Sequence, residues 1–94
     1  MIASFESKAL KRFWEKGDGR KLPSQSLPRI TLLLDRLDAA ENLQDMNLPG
    51  FKFHPLSGNK KGRYAVWVAG NWRITFVWDE SDAVAVDYEG YHGK

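Results

Sequence analysis

Cysteine is absent from the 94 residues, and histidine occurs only twice, at positions 54 and 92. The first absence excludes disulfides and every thiolate-based zinc site. The second leaves two isolated imidazoles with no H-x-x-x-H partner, so no metal site is expected. Nor is there a glycine-rich phosphate cradle; Gly58 and Gly62 suit turns, and no nucleotide or other cofactor is expected. No apolar run approaches the roughly 20 residues of a membrane span. The opening Met-Ile-Ala-Ser-Phe-Glu-Ser-Lys lacks the apolar core of a secretory leader. These absences describe a soluble cytoplasmic protein with no membrane partner.

What is present suffices for a core. Hydrophobic residues make up 43% of the chain and aromatic residues 13%, with four tryptophans. A chain of this length fits one compact domain over residues 1–94 that needs no covalent staple. Charge says less: 14 Lys and Arg against 12 Asp and Glu leave a net charge of only +2. Placement is more informative. Lys60, Lys61 and Arg63 crowd one glycine-bracketed loop, and further bases gather at Lys8, Lys11, Arg12 and Lys16 and at Arg20 and Lys21. A solvated surface is the plain alternative for each group.

The pattern predicts helices first and strands after. Met1 to Phe5 reads as a short strand. Residues 6–16 form a helix with Leu10, Phe13 and Trp14 on one stripe, stopped by Gly17-Asp18-Gly19. Pro23-Ser24 opens a second helix, capped by Ser24 or Ser26, with Pro28 tolerated near the first turn. Its apolar face is Leu27, Ile30, Leu33, Leu34 and Leu37, while Asp35, Arg36 and Asp38 face water. A polar connector over 41–47 leads through Leu48-Pro49-Gly50 into strand-like sequence.

The second half reads as a meander: Phe51 to His54, Tyr64 to Val68, Trp72 to Trp78 and Ala83 to Tyr88. Ala69-Gly70-Asn71 and Asp79 to Asp82 supply the turns. Alternation places Trp72, Ile74, Phe76 and Trp78 on a face covered by the helices, with Arg73, Thr75 and Val77 opposite. By the same count Val84, Val86 and Tyr88 share a face, and Asn71 joins Arg73. The fold class is α+β: two N-terminal helices packed on a small, mainly antiparallel sheet.

Functional residues concentrate in the last forty positions, where His54, Asn71, Arg73, Tyr91 and His92 lie among the short strands. Imidazole exchanges protons near neutral pH, with an unperturbed pKa of roughly 6.5. Two imidazoles beside a fixed cation and a phenol point to proton transfer on an anionic substrate, RNA. On the face away from the tryptophans, Arg73 is placed to meet a phosphate with its planar fork of donors. The competing reading of Arg73 is a cross-strand ion pair with Asp87 or Glu89. Singly, His54 reads as a strand-end residue and His92 as a tail residue.

The runs His54-Pro55-Leu56-Ser57-Gly58, Gly70-Asn71-Trp72-Arg73-Ile74-Thr75-Phe76 and Asp87-Tyr88-Glu89-Gly90-Tyr91-His92 resemble the HigB toxins of the RelE superfamily. Leu33-Asp35-Arg36-Leu37 and the connector over 44–50 extend the resemblance to nearly the full length. It implies a compact RelE-like fold and a ribosome-dependent endoribonuclease that cuts mRNA in the ribosomal A site. It implies neutralisation by a helix-turn-helix antitoxin, with operator DNA bound only through the complex. His54, Asn71, Arg73, Tyr91 and His92 fall on the family's functional positions, and Lys60, Lys61 and Arg63 are expected on the RNA backbone. Two departures stand out. Ser57 replaces a lysine common in the family, which Lys60 or Lys61 replaces only if the loop reaches back. Gly90 replaces an acid before the terminal Tyr-His, and Glu89, in an extended strand, projects to the opposite side. The rival readings are a ParE-like inhibitor of DNA gyrase, which needs no general acid or base, and a non-catalytic RNA-binding module.

Overall fold

The computed structural model describes residues 1–90. Helix α1 spans Lys8–Lys16 and α2 spans Leu27–Ala39. Strands β1 (His54–Pro55), β2 (Arg63–Ala69), β3 (Trp72–Asp79) and β4 (Asp82–Gly90) form one antiparallel sheet in the order β1-β2-β3-β4. The α+β class and the two helices are as expected. Ile2 and Phe5 make parallel bridges to Ala83 and Val86, so the opening segment runs along β4.

Local chemistry explains the helix ends. Ser7 caps α1, its hydroxyl accepting from the Leu10 amide at 3.1 Å. Gly17 ends it at φ 71°, a left-handed conformation that glycine adopts without a Cβ clash. At the second helix Ser26 holds the expected N-cap position but makes no side-chain bond there. Ser24–Ser26 make a 3-10 turn, and buried Ser26 precedes α2 without a side-chain capping bond. Pro28 sits in the first turn, where its missing N–H costs little.

The apolar stripe of α2 supplies the core. Ile30, Leu33, Leu34 and Leu37 are fully buried and cluster with Leu10, Met46, Phe51, Val66, Ile74, Phe76 and Val86. Both helices therefore cover the face of β3 that carries Ile74 and Phe76. An aromatic row runs across that face, with Phe53 stacked on Tyr64 at 5.7 Å and Trp78 edge-on to Phe76 at 6.5 Å. Arg29 ties α2 to the segment before β1, donating to the Gly50 carbonyl at 2.6 Å and the Trp67 carbonyl at 2.9 Å.

Three expectations of the strand count need correction. Trp72 is not core: it is 40% exposed at the end of the sheet, stacked on Tyr88 at 4.8 Å. Phe51 to His54 is not one strand, because Lys52 takes φ 50° and breaks the extended run, leaving His54–Pro55 to pair with β2. Val84 does not share a face with Val86 and Tyr88. The β3–β4 ladder shifts register between Thr75 and Val77, and Ala85 adopts φ 52°. This is a β-bulge, one extra residue in β4 that inverts the alternation beyond it. Its backbone groups find side-chain partners: the Ala85 N–H donates to Ser4 Oγ at 2.8 Å, and its carbonyl accepts from Arg63 Nη2 at 2.6 Å.

Two substitutions test this account. Phe76→Ala should cost about 3–5 kcal/mol by removing a fully buried ring, read as a lower urea midpoint. Ala85→Val places a β-branched residue at positive φ and should cost about 1–2 kcal/mol in the same measurement.

Candidate active site on the sheet face opposite the helices

Register defines what this face carries, because directly paired residues project to the same side. One row across the sheet is His54, Ala65, Thr75 and Asp87. The next is Trp67, Arg73 and Glu89, and on the other side lie Arg63, Val77 and Val84. His54 and Arg73 thus share a face, as expected for Arg73. Their backbones stand roughly 12 Å apart, two strand spacings across and two residues along, a gap that an arginine side chain and a bound phosphate would fill. Asn71 is exposed in the two-residue turn Gly70-Asn71, at the end of the sheet, not in a row of the face. Tyr91 and His92 lie outside the described residues.

His54 is oriented by its neighbour. Its Nδ1 lies 2.7 Å from the carbonyl oxygen of Lys52. A carbonyl only accepts, so Nδ1 carries a hydrogen and Nε2 is the nitrogen left for proton exchange. Lys52, left-handed in backbone and just ahead of β1, supplies this carbonyl.

Glu89, one of the two acids expected across from Arg73, is the acid of this face. Glu89 was expected to project away from residue 90, and it does: Gly90 stands across from Trp72, and Glu89 across from Arg73. That same geometry delivers Glu89 to the candidate site. It is only 7% exposed. Its Oε1 accepts from Lys60 Nζ at 2.7 Å, and its Oε2 accepts a short bond from the Thr75 hydroxyl. Arg63 donates to Thr75 Oγ1 at 3.0 Å and lies 3.9 Å from Glu89 Oε2. Burial pushes the Glu89 carboxyl up, but the bonds from Lys60 and Thr75 and the charges of Lys60 and Arg63 outweigh it and hold the group below the usual glutamate value. Asp87 shifts the other way, raised chiefly by burial and further by Glu89 and Glu6, against its bond from the Tyr88 amide and the charge of Arg63.

The three bases expected on RNA occupy different settings. Lys61 is exposed. Lys60 reaches back from its 3-10 turn to the sheet and pairs with Glu89. Arg63 belongs to β2 and braces the bulge and Thr75. Strand counting missed Trp67, which lies across from Arg73 with Lys52 Nζ 4.3 Å above its ring. For Trp67 the only sequence signal was its place across the predicted hairpin from Arg73.

The two acids make opposite contributions to stability. A depressed carboxylate stabilises above its unfolded pKa, and that contribution is lost as pH falls through the folded value. Glu89→Gln should therefore lower the thermal midpoint at pH 7, and the deficit should shrink on acidification. For a raised carboxyl the favourable contribution lies below the unfolded pKa and is lost as pH rises through the folded value. Asp87→Asn should accordingly be more favourable, relative to the parent protein, at pH 7 than at pH 3.

Residues 3–92 match the family of RelE-like toxins of type II toxin–antitoxin systems, HigB. The chain is 40% identical over 92 residues to a Proteus vulgaris protein named Endoribonuclease HigB, covering 98% of this chain and 100% of that one. It is 33% identical over 86 residues to Toxin HigB-1 of Vibrio cholerae, covering 89% and 90% of the two chains. The chain belongs to the HigB-like toxins of type II toxin–antitoxin systems.

Proposed function

We propose that the protein is a ribosome-dependent endoribonuclease that cleaves mRNA in the ribosomal A site and so blocks translation. The observation that carries this reading is full-length similarity to a protein named as an endoribonuclease, in a chain whose sheet brings His54 and Arg73 onto one cation-rich face. The whole chain, 1–94, acts as one RelE-like toxin domain in the cytoplasm. A helix-turn-helix antitoxin neutralises it, and operator DNA is met only through that complex.

Cleavage without a metal requires the 2′-hydroxyl to lose its proton and attack the adjacent phosphorus. The P–O5′ bond breaks as the 5′-oxygen takes up a proton, leaving a 2′,3′-cyclic phosphate and a 5′-hydroxyl. His54 and His92 divide the base and acid roles, with His54 acting through Nε2. Arg73 keeps its proton at any working pH and stabilises the charge that develops on the phosphorane. Asn71 positions the RNA or the terminal segment, and Tyr91 stacks on a base or orients the phosphate. Lys60, Lys61 and Arg63 form the cationic border that receives the backbone. Lys60 and Arg63 do so while bonded to Glu89 and Thr75.

The test is cleavage of mRNA on programmed 70S ribosomes against ribosome-free RNA, with the parent protein and His92→Ala. Cleavage confined to the ribosome and lost in the variant supports the reading. Intact mRNA with the parent protein overturns it and makes inhibition of DNA gyrase the next assay. In single-turnover reactions His54→Ala should slow cleavage about 10²–10⁴-fold. Arg73→Ala should slow it about 10²–10³-fold through lost charge stabilisation.

A further inference from the structure

We propose that Glu89 is a positioning residue for RNA cleavage, holding the Lys60 ammonium above the sheet face as a fixed cation for the substrate phosphate; this rests on the endoribonuclease reading. Lys60 comes from a three-residue 3-10 turn, Gly58–Lys60, flanked by exposed residues. A lysine on such a turn ordinarily wanders in solvent, because its flexible stem loses about 2 kcal/mol of rotamer entropy on being fixed. Here Nζ is 2.7 Å from a carboxylate that is itself buried, while the lysine side chain stays 39% exposed. Its ammonium is therefore anchored to the sheet while the side chain stays partly open to solvent, and one bond to Glu89 leaves donor hydrogens for a phosphate.

The anchor is rigid. Both Glu89 oxygens are engaged, one by Lys60 and the other by Thr75, and Thr75 also accepts from Arg63. Thr75 is fully buried in the centre of β3, two residues from Arg73 and in the same row as His54. The chain Arg63–Thr75–Glu89–Lys60 thus fixes the loop cation to the strand that carries Arg73. A carboxylate with both oxygens bonded and its pKa held down is a poor general base, which makes its role one of placement. Lys52 over Trp67, Lys60, Arg63 and Arg73 bring more positive than negative charge to the neighbourhood of Glu89 and Asp87, so the anchor leaves the face attractive to an anion.

The test is a double-mutant cycle on programmed ribosomes with Glu89→Gln, Lys60→Ala and the pair together, measuring kcat and KM separately after confirming folding by circular dichroism. Glu89→Gln keeps the volume and removes the charge. It should lower kcat roughly 10–100-fold, the scale of a misplaced group, with KM changed less than about threefold. Lys60→Ala should do the same, and the pair should be no slower than the worse single variant, as expected for residues acting as one unit. Parent-like kcat in Glu89→Gln, or a pair whose defect is the product of the two, would overturn the proposal. If Glu89→Gln does not fold, Lys60→Arg against Lys60→Ala decides. Recovery of kcat by arginine supports a held cation, and equal, parent-like kcat in both overturns it. Activity of the parent protein in the same assay tests the endoribonuclease reading separately.

Discussion

One extra residue in β4 sets the chemistry of the whole sheet. Without the bulge at Ala85, the ladder that pairs Val77 with Val84 would continue to pair Arg73 with Tyr88. It would also send Glu89 to the helix-covered side. Glu89 would then stand across from Trp72 on the apolar side, away from Thr75 and Lys60, where an ionised group must pair or give up its charge. The bulge moves Val86 and Tyr88 to the core and delivers Asp87 and Glu89 to the face that carries Arg73. The positive φ at Ala85 is strained for a non-glycine residue, and its bonds to Ser4 and from Arg63 hold it in place.

Arg63 links that backbone device to the site. Its guanidinium supports the Ala85 carbonyl and the Thr75 hydroxyl at once, so the side chain that stabilises the bulge also orders the network around Glu89. Buried ion pairs are weak grounds for stability, because desolvation offsets much of the attraction. Removing one partner is the expensive event, as it strands the other. Such a network is accordingly better understood as fixing geometry than as strengthening the fold, and geometry is what an RNA-cleaving face requires. Electrostatic help from a cation depends on its being in place before charge develops.

The apolar architecture follows a different logic from the polar face. Leucines of α2 meet Val66, Ile74 and Phe76 through simple periodicity. Arg29 is the exception on that side: it spans from α2 to the Gly50 and Trp67 carbonyls and lies 5.3 Å from the Phe51 ring centroid. It thereby fastens the segment that ends in His54, whose own ring is set by the Lys52 carbonyl. The catalytic histidine of the proposed reaction thus takes its orientation from a turn, and that turn is secured by a helix distant in sequence.

By itself, the sequence determined the fold class, both helices, three of the four strands and the face on which Arg73 stands. Each of these rests on short-range regularity: a 3.6-residue stripe, a two-residue alternation, glycine at a left-handed turn. It also carried the family, through motifs spread over nearly the whole chain. The fate of Trp72, the interruption at Lys52 and the inversion at Ala85 were not legible. Alternation assumes an unbroken strand, and nothing in Val84-Ala85-Val86 signals that Ala85 adopts positive φ. Only the tertiary structure decided that Glu89 is buried beside Thr75 and that Lys60 folds back onto it. That contact joins residues 29 positions apart, and it exists only because a bulge, a hairpin and a loop are assembled around a common face.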